Sequence, residues 1–161
     1  MKKLLQAFKE KGLTLGSVES MTGGLFAAEV TSIPGSSSVF KGSLVTYSVE
    51  EKVKICGVKK ATIDKYGVVS EEVAKEMAEK GRKLLNVDVC VSVTGNAGPT
   101  CEPGGKPAGC FYIGVSDKNG TVVNCFQING KRNGVRNRAV LAMRVLTYLN
   151  VIKNITTKKS L

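Results

Sequence analysis

The run Val-Asp-Val-Cys-Val-Ser-Val-Thr-Gly at residues 87–95 constrains the fold more than any other segment. Its length, its β-branched content and its small residues between valines read as a strand buried on both faces, and such strands need a layer above and a layer below. The 14 residues from Gly95 to Ala108, "GNAGPTCEPGGKPA", are almost all loop formers. A loop that long in a compact domain is uncommon and often functional. Open α/β sheets place their ligand crevice at the carboxyl ends of such strands.

Around this centre the chain alternates. Residues 2–11 form an amphipathic helix, with Leu4, Leu5 and Phe8 on one side and Gly12 placed to end it. "LTLGSV" (13–18) reads as a buried strand, and Thr22 is the expected N-cap of a helix over "GGLFAAEVTS". Residues 39–47 alternate as a strand. Ser48 and Glu51 then make a capping box, so a short helix begins near Val49 and carries Lys52. "ATIDKYG" gives another short helical piece, and Ser70 with Glu71 and Glu72 opens a longer helix. "GCFYIGVSD" and "TVVNCFQING" read as a hairpin through Asn119-Gly120, and a last helix follows Gly130. The pattern predicts a single α/β domain over 1–161, a three-layer α/β/α sandwich with a mixed sheet and a flexible tail from 151.

Composition narrows the chemistry. The 161 residues, 42% hydrophobic and 23% charged, suit a globular chain; no apolar run approaches the length of a membrane span, and the N-terminus lacks a signal-peptide pattern. A cytoplasmic protein without membrane attachment is expected. Histidine is absent. Its absence removes Ser-His-Asp and Cys-His catalysis and the commonest zinc ligands, so no metal site is expected and acid–base work near neutrality falls to Lys, Glu, Asp, Tyr or Cys. Cys56, Cys90, Cys101, Cys110 and Cys125 form no C-x-x-C pair; all but Cys101 sit among apolar or strand-like neighbours and read as buried hydrophobes. The net charge of +11 is spread along helices and the tail, which reads first as a solvated basic surface. Nucleic-acid binding is a weaker reading, since there is no binding motif and no tryptophan.

One stretch, "SVESMTGGLFAAEV" (17–30), sets a serine at a strand-to-helix boundary. Ser20 there is either a helix-start residue or a nucleophile. Without histidine, the physical activator of such a serine is a lysine partly withdrawn from water, whose lowered pKa makes neutral amine available. Many lysines qualify on composition. Tyr47 either orients the base or belongs to the core, and Glu19 points to the opposite face from Ser20 and is at most supporting. "GGKP" is not the end of a Walker A motif, because Thr100 stands where that motif needs glycine and Pro107 follows Lys106.

"VESMTGGLFAAEVT", "GSLVTYSVEEKVKICGV", "YGVVSEEVAKEMAEKGRKLLNVDVCVSVTGNAGPT" and "GGKPAGCFYIGV" together resemble the C-terminal amidohydrolase domain of the competence/damage-inducible CinA family, over roughly residues 3–150. Larger members carry an additional N-terminal nucleotide-processing domain, for which this chain has no room. The resemblance implies hydrolysis of the carboxamide of nicotinamide mononucleotide to nicotinate mononucleotide and ammonia, with no cofactor. It implies a serine nucleophile matching Ser20 and a lysine matching Lys52, 32 residues downstream. The family's T-G-x-A-G-P motif maps onto Thr94, Gly95, Ala97, Gly98 and Pro99, and its arginine-bearing helix start onto Arg132 and Arg136. Asn96 and the "TCEPGG" variant depart from the family pattern and bear on substrate preference. Oxyanion donors are expected near Thr22, Gly23 and Gly24 or within 95–98, and phosphate contacts from Lys106, Arg132 or Arg136. The expected partner is a small pyridine nucleotide, with homo-oligomerisation likewise expected. A non-catalytic pyridine-nucleotide-binding module is the competing reading.

Overall fold

The computed structural model describes residues 1–156, with side chains described through Lys153. A five-stranded sheet runs in the order β2-β1-β3-β4-β5. Strand β1 is Leu15–Glu19, β2 Phe40–Val45, β3 Val89–Gly95, β4 Cys110–Asp117 and β5 Gly120–Gln127. The first is parallel to both neighbours, whereas β3, β4 and β5 pair antiparallel, so the sheet is mixed. The valine run is its central strand, with Val89 to Thr94 all buried. Parallel neighbours bring the carboxyl ends of β1, β2 and β3 to one edge, where the site forms.

Helices cover both faces. Helix α1 (Lys2–Lys11), α2 (Leu25–Thr31) and the long α6 (Arg132–Thr156) pack on one side, their Phe8, Phe26 and Met143 meeting Leu15, Val91 and Ile113 of the sheet. On the other side lie α3 (Val49–Glu51), continuing as a π-helical turn over Lys52–Cys56, then α4 (Lys60–Tyr66) and α5 (Glu71–Leu84). Val73 and Met77 of α5 cluster there with Val18, Cys56 and Cys90. The three-layer α/β sandwich expected from the sequence is the observed architecture. Cys56, Cys90 and Cys110 are buried as expected; Cys125 is exposed, because β5 is an edge strand and turns that residue outward. Of the tail expected to be flexible, residues 151–156 continue α6 with Val151 buried, and residues 157–161 lie outside the described residues. Among the described residues no helix is long and apolar enough to cross a membrane.

Caps follow local chemistry. Ser48 Oγ accepts from Glu51 N–H at 3.2 Å and Ser70 Oγ from Val73 N–H at 3.3 Å, and Gly12 ends α1 in a left-handed conformation. Thr22 does not cap α2. Gly24 holds the N-cap position, and Glu19, reaching from the end of β1, accepts Phe26 N–H at 3.0 Å and Ala27 N–H at 3.1 Å. A carboxylate serves there because the first N–H groups of a helix lack partners within it and carry the positive end of its dipole.

Helix α5 crosses the sheet closely enough that a Cβ on Gly81 would overlap Val18 Cγ2 and lie 3.0 Å from Cys90 Sγ. Two effects oppose each other in Gly81→Ala. The helix gains about 1 kcal/mol of propensity, while overpacking against a stiff valine costs about 1–3 kcal/mol. The steric term is the larger, so Gly81→Ala is expected to lower unfolding free energy by up to about 2 kcal/mol in urea titration; a stabilised variant would contradict this packing.

Candidate active site

Strand parity sorts the residues of β1. Leu15 packs towards α1, α2 and α6, and Val18 towards α5. Glu19 therefore falls on the α2 side and Ser20 on the side of the helical turn that carries Lys52. The parallel pairing of β1 with β2 sets Glu19 beside Val45, and Thr46 N–H donates to Glu19 O at 2.9 Å just past the last ladder pair. The chain then turns through Tyr47 and Ser48 into α3 and returns Lys52 over the end of β1.

The result is a direct contact: Lys52 Nζ lies 2.8 Å from Ser20 Oγ. Two main-chain carbonyls hold the same nitrogen, Thr46 O at 2.7 Å and Tyr47 O at 3.5 Å. Lys52 is 1% exposed and Ser20 6%. Among the described residues Lys52 makes no ion pair. Burial lowers its pKa from 10.5 to about 8, the main cause being loss of hydration of the ammonium. In the neutral amine, two N–H bonds match the two carbonyls and the lone pair faces the serine hydroxyl. That arrangement allows proton transfer from Ser20.

Ser20 and Lys52 border a cavity of about 230 Å³ shared with Met21, Thr94, Ala97 and Arg132. A second cavity of about 580 Å³ adjoins it across Val68, Val69, Gly95 and Asn96. Its outer wall is the 100–106 loop, including Cys101 and Lys106. Asn96 shapes that loop: its Nδ2 donates to Thr100 O at 2.9 Å and Lys106 O at 3.2 Å, and its Oδ1 accepts Gly98 N–H at 2.8 Å. The departure from the family pattern at 96 is thus an internal brace of the cavity wall.

Other expected site residues are placed differently. Tyr47 is 61% exposed, and its phenol accepts from Arg132 Nη2 at 2.9 Å; only its main-chain carbonyl faces Lys52, so its side chain does not orient the base. The Thr22 hydroxyl, fully buried, donates to Glu19 Oε1 at 2.7 Å, and the Thr94 hydroxyl donates to Val68 O at 2.9 Å. Both hydroxyls brace the site and are not turned to a ligand. Gly23 and Gly24 have φ of 61° and 96°, values that only glycine adopts without strain, which is why the turn after Ser20 needs the pair. Gly23 N–H is committed to Ser20 O at 3.0 Å and Gly98 N–H to Asn96, which removes both as oxyanion donors.

The arginines are also engaged. Arg132 Nη1 donates to Gly98 O at 2.7 Å, and Arg132 still borders the smaller cavity with N–H donors to spare. Arg136 Nε donates to Met21 O and its Nη2 to Thr22 O, each at 3.0 Å, and Nη1 to Asn133 Oδ1 at 3.2 Å. Three of the five guanidinium N–H groups of Arg136 are thereby spent within the protein, and Arg136, expected as a phosphate contact, borders neither cavity. Glu19 matters more than the sequence suggested. Its face was legible, but its four partners, Thr22, Phe26, Ala27 and Ser43, come together only in three dimensions.

The family model described as CinA C-terminal domain matches residues 1–150. A CinA-like protein of Kosmotoga olearia is 43% identical over 138 residues, 86% of this chain and 34% of that protein. Another CinA-like protein, of Endomicrobium trichonymphae, is 48% identical over 131 residues, 81% of this chain and 31% of that protein. The chain thus spans about a third of the length of the curated relatives it matches. Among solved structures, a competence or damage-inducible protein of Enterobacter asburiae superposes with a TM-score of 0.90 at 27% identity, covering 93% of this chain and 94% of that one. The competence/damage inducible protein CihA of Agrobacterium tumefaciens does so with 0.86 at 29%, covering 95% and 92%.

The lysine site predicts a specific pH dependence of stability. A lysine whose folded pKa (about 8) lies below its unfolded value (10.5) opposes folding while charged; the penalty is full below pH 8 and is relieved as pH rises through 8 towards 10.5. Relative to Lys52→Met, the wild type is expected to gain about 3 kcal/mol between pH 7 and 10.5, read from urea titrations at each pH. A pH-independent difference between the two proteins would place the amine in water.

Proposed function

The chain belongs to the CinA C-terminal domain family, and from that premise we propose that it is an amidohydrolase converting nicotinamide mononucleotide to nicotinate mononucleotide and ammonia through Ser20 and Lys52. The observation that carries the reading is the 2.8 Å contact between Ser20 Oγ and a buried Lys52 amine.

The proposed chemistry follows from that pair. Neutral Lys52 takes the hydroxyl proton as Ser20 Oγ attacks the carboxamide carbon, giving a tetrahedral oxyanion and a Lys52 ammonium. The ammonium returns its proton to the leaving nitrogen, the C–N bond breaks, and ammonia departs from an ester on Ser20. Water then attacks that ester with Lys52 again as base; Ser20 regains its proton and the carboxylate product leaves. The carbonyls of Thr46 and Tyr47 hold the amine in place through both halves.

The cavities support a division of the substrate. The compartment of about 230 Å³ suits the carboxamide-bearing ring, and the adjoining one of about 580 Å³ suits the ribose phosphate. Among the described residues, Lys106 on the outer wall of the larger compartment and Arg132 on the border of the smaller one are the cations that line these cavities and can meet the phosphate.

Purified protein is expected to release ammonia from nicotinamide mononucleotide without added metal, and Ser20→Ala and Lys52→Ala each to lower turnover by about three orders of magnitude or more. Because Lys52 acts as the neutral amine, kcat/KM should rise with pH, increase through about 8, and level off above it. Unchanged turnover in either variant would remove the dyad. Tight mononucleotide binding in calorimetry with no product after long incubation would instead support a binding module.

A further inference from the structure

The dyad accounts for the nucleophile and its base but not for the negative charge that develops on the carbonyl oxygen. The turn after Ser20 is built to meet it. Gly23 N–H bonds to Ser20 O at 3.0 Å, so residues 20–23 form a hydrogen-bonded β-turn with Met21 and Thr22 at its centre. The central peptide of such a turn is the unit whose orientation distinguishes the common turn types. In a planar trans peptide the N–H points opposite to the C=O. Whatever holds the Met21 carbonyl therefore sets the direction of the Thr22 N–H.

Arg136 holds it. Nε and Nη2 lie on one edge of a rigid planar fork, and they meet two successive carbonyls, Met21 O and Thr22 O, at 3.0 Å each. The guanidinium lies against Gly23, where a Cβ would come within 3.2 Å of Nη2, a tight approach. From the opposite polarity Glu19 anchors the Thr22 hydroxyl at 2.7 Å. Among the described residues the N–H groups of Met21 and Thr22 have no acceptor, and Met21 borders the cavity that holds Ser20 and Lys52.

We propose that Arg136 is a positioning residue which, by gripping the Met21 and Thr22 carbonyls, locks the turn after Ser20 so that the Met21 and Thr22 N–H groups receive the oxyanion. The inference rests on the amidase reading given above. It replaces the phosphate role that the sequence suggested for Arg136, which borders neither cavity and spends three of its five N–H groups within the protein. A group acting in this way changes transition-state stabilisation and leaves ground-state binding alone.

The test is steady-state deamidation of nicotinamide mononucleotide by wild type, Arg136→Lys, Arg136→Gln and Arg136→Ala, with thermal melts of each. Arg136→Gln is expected to lower kcat about a hundredfold with KM changed less than about threefold. Arg136→Lys, which keeps the charge but not the fork, should fall between and melt like the wild type, so that lost activity is not lost folding. Guanidinium ion added to Arg136→Ala should restore part of kcat. An active wild type whose Arg136→Lys and Arg136→Gln variants keep kcat overturns the inference and leaves the amidase reading standing. So does a tenfold rise in KM with kcat retained, which would make Arg136 a phosphate ligand. A wild type that releases no ammonia overturns the amidase reading, and the inference falls with it.

Discussion

A lysine amine withdrawn from water, with a serine hydroxyl and two main-chain carbonyls for company and, among the described residues, no carboxylate paired with it, is the constraint on which the rest of this structure turns. Burying an ammonium is costly, and proteins usually offset that cost with a counter-charge. Here the cost is left standing, and its consequence is an amine that loses its proton near pH 8. The architecture around Lys52 follows from keeping that group both dry and aimed. Parallel β1 and β2 end side by side, the chain after β2 folds back through a capped turn, and the widened π-helical turn starts at Lys52 itself. Such turns recur at functional sites because they redirect one side chain without ending the helix.

Ser20 is held with the same economy. Ser20 leaves β1 on the lysine side, and the next residues must turn at once to begin α2 on the other face. Glu19 and Arg136 secure that turn with opposite charges. The carboxylate takes donors, namely the Thr22 hydroxyl and the first N–H groups of α2, and the guanidinium takes acceptors, the Met21 and Thr22 carbonyls. Neither charge contacts the other through these bonds; each adds hydrogen bonds to main-chain groups of the turn and of the start of α2. The sheet, the first layer of helices and α6 are thereby tied to the position of one hydroxyl.

Much of this was legible in the sequence, for physical reasons that differ by element. The valine run declared a strand covered on both faces, and Ser48 and Ser70 declared helix starts, because those signals are local. The serine–lysine pair was legible only through the resemblance to a family, since a lone lysine at 52 gives no sign of burial. Thr22 misled because threonine is a good cap by type, yet a carboxylate three residues earlier in the chain reaches the same N–H groups from the strand. Tyr47 misled because strand alternation says which side a residue takes, not whether anything covers it; the strand ends at Val45 and the ring stands in solvent against Arg132. The role of Arg136 was out of reach, because its two carbonyl partners lie more than a hundred residues away and main-chain carbonyls leave no mark in a sequence.

The claim at the centre is that the Lys52 amine and the Ser20 hydroxyl share a proton in a site that keeps water away. The most direct measurement is the titration of Lys52 by NMR in protein carrying 13C at lysine Cε, with its resonance assigned by its loss in the Lys52→Met protein. Lys52 is expected to titrate with a midpoint near pH 8, separated from the other lysines and displaced by Ser20→Ala. A Lys52 resonance that titrates with the bulk of the lysines near 10.5, indifferent to residue 20, would contradict it.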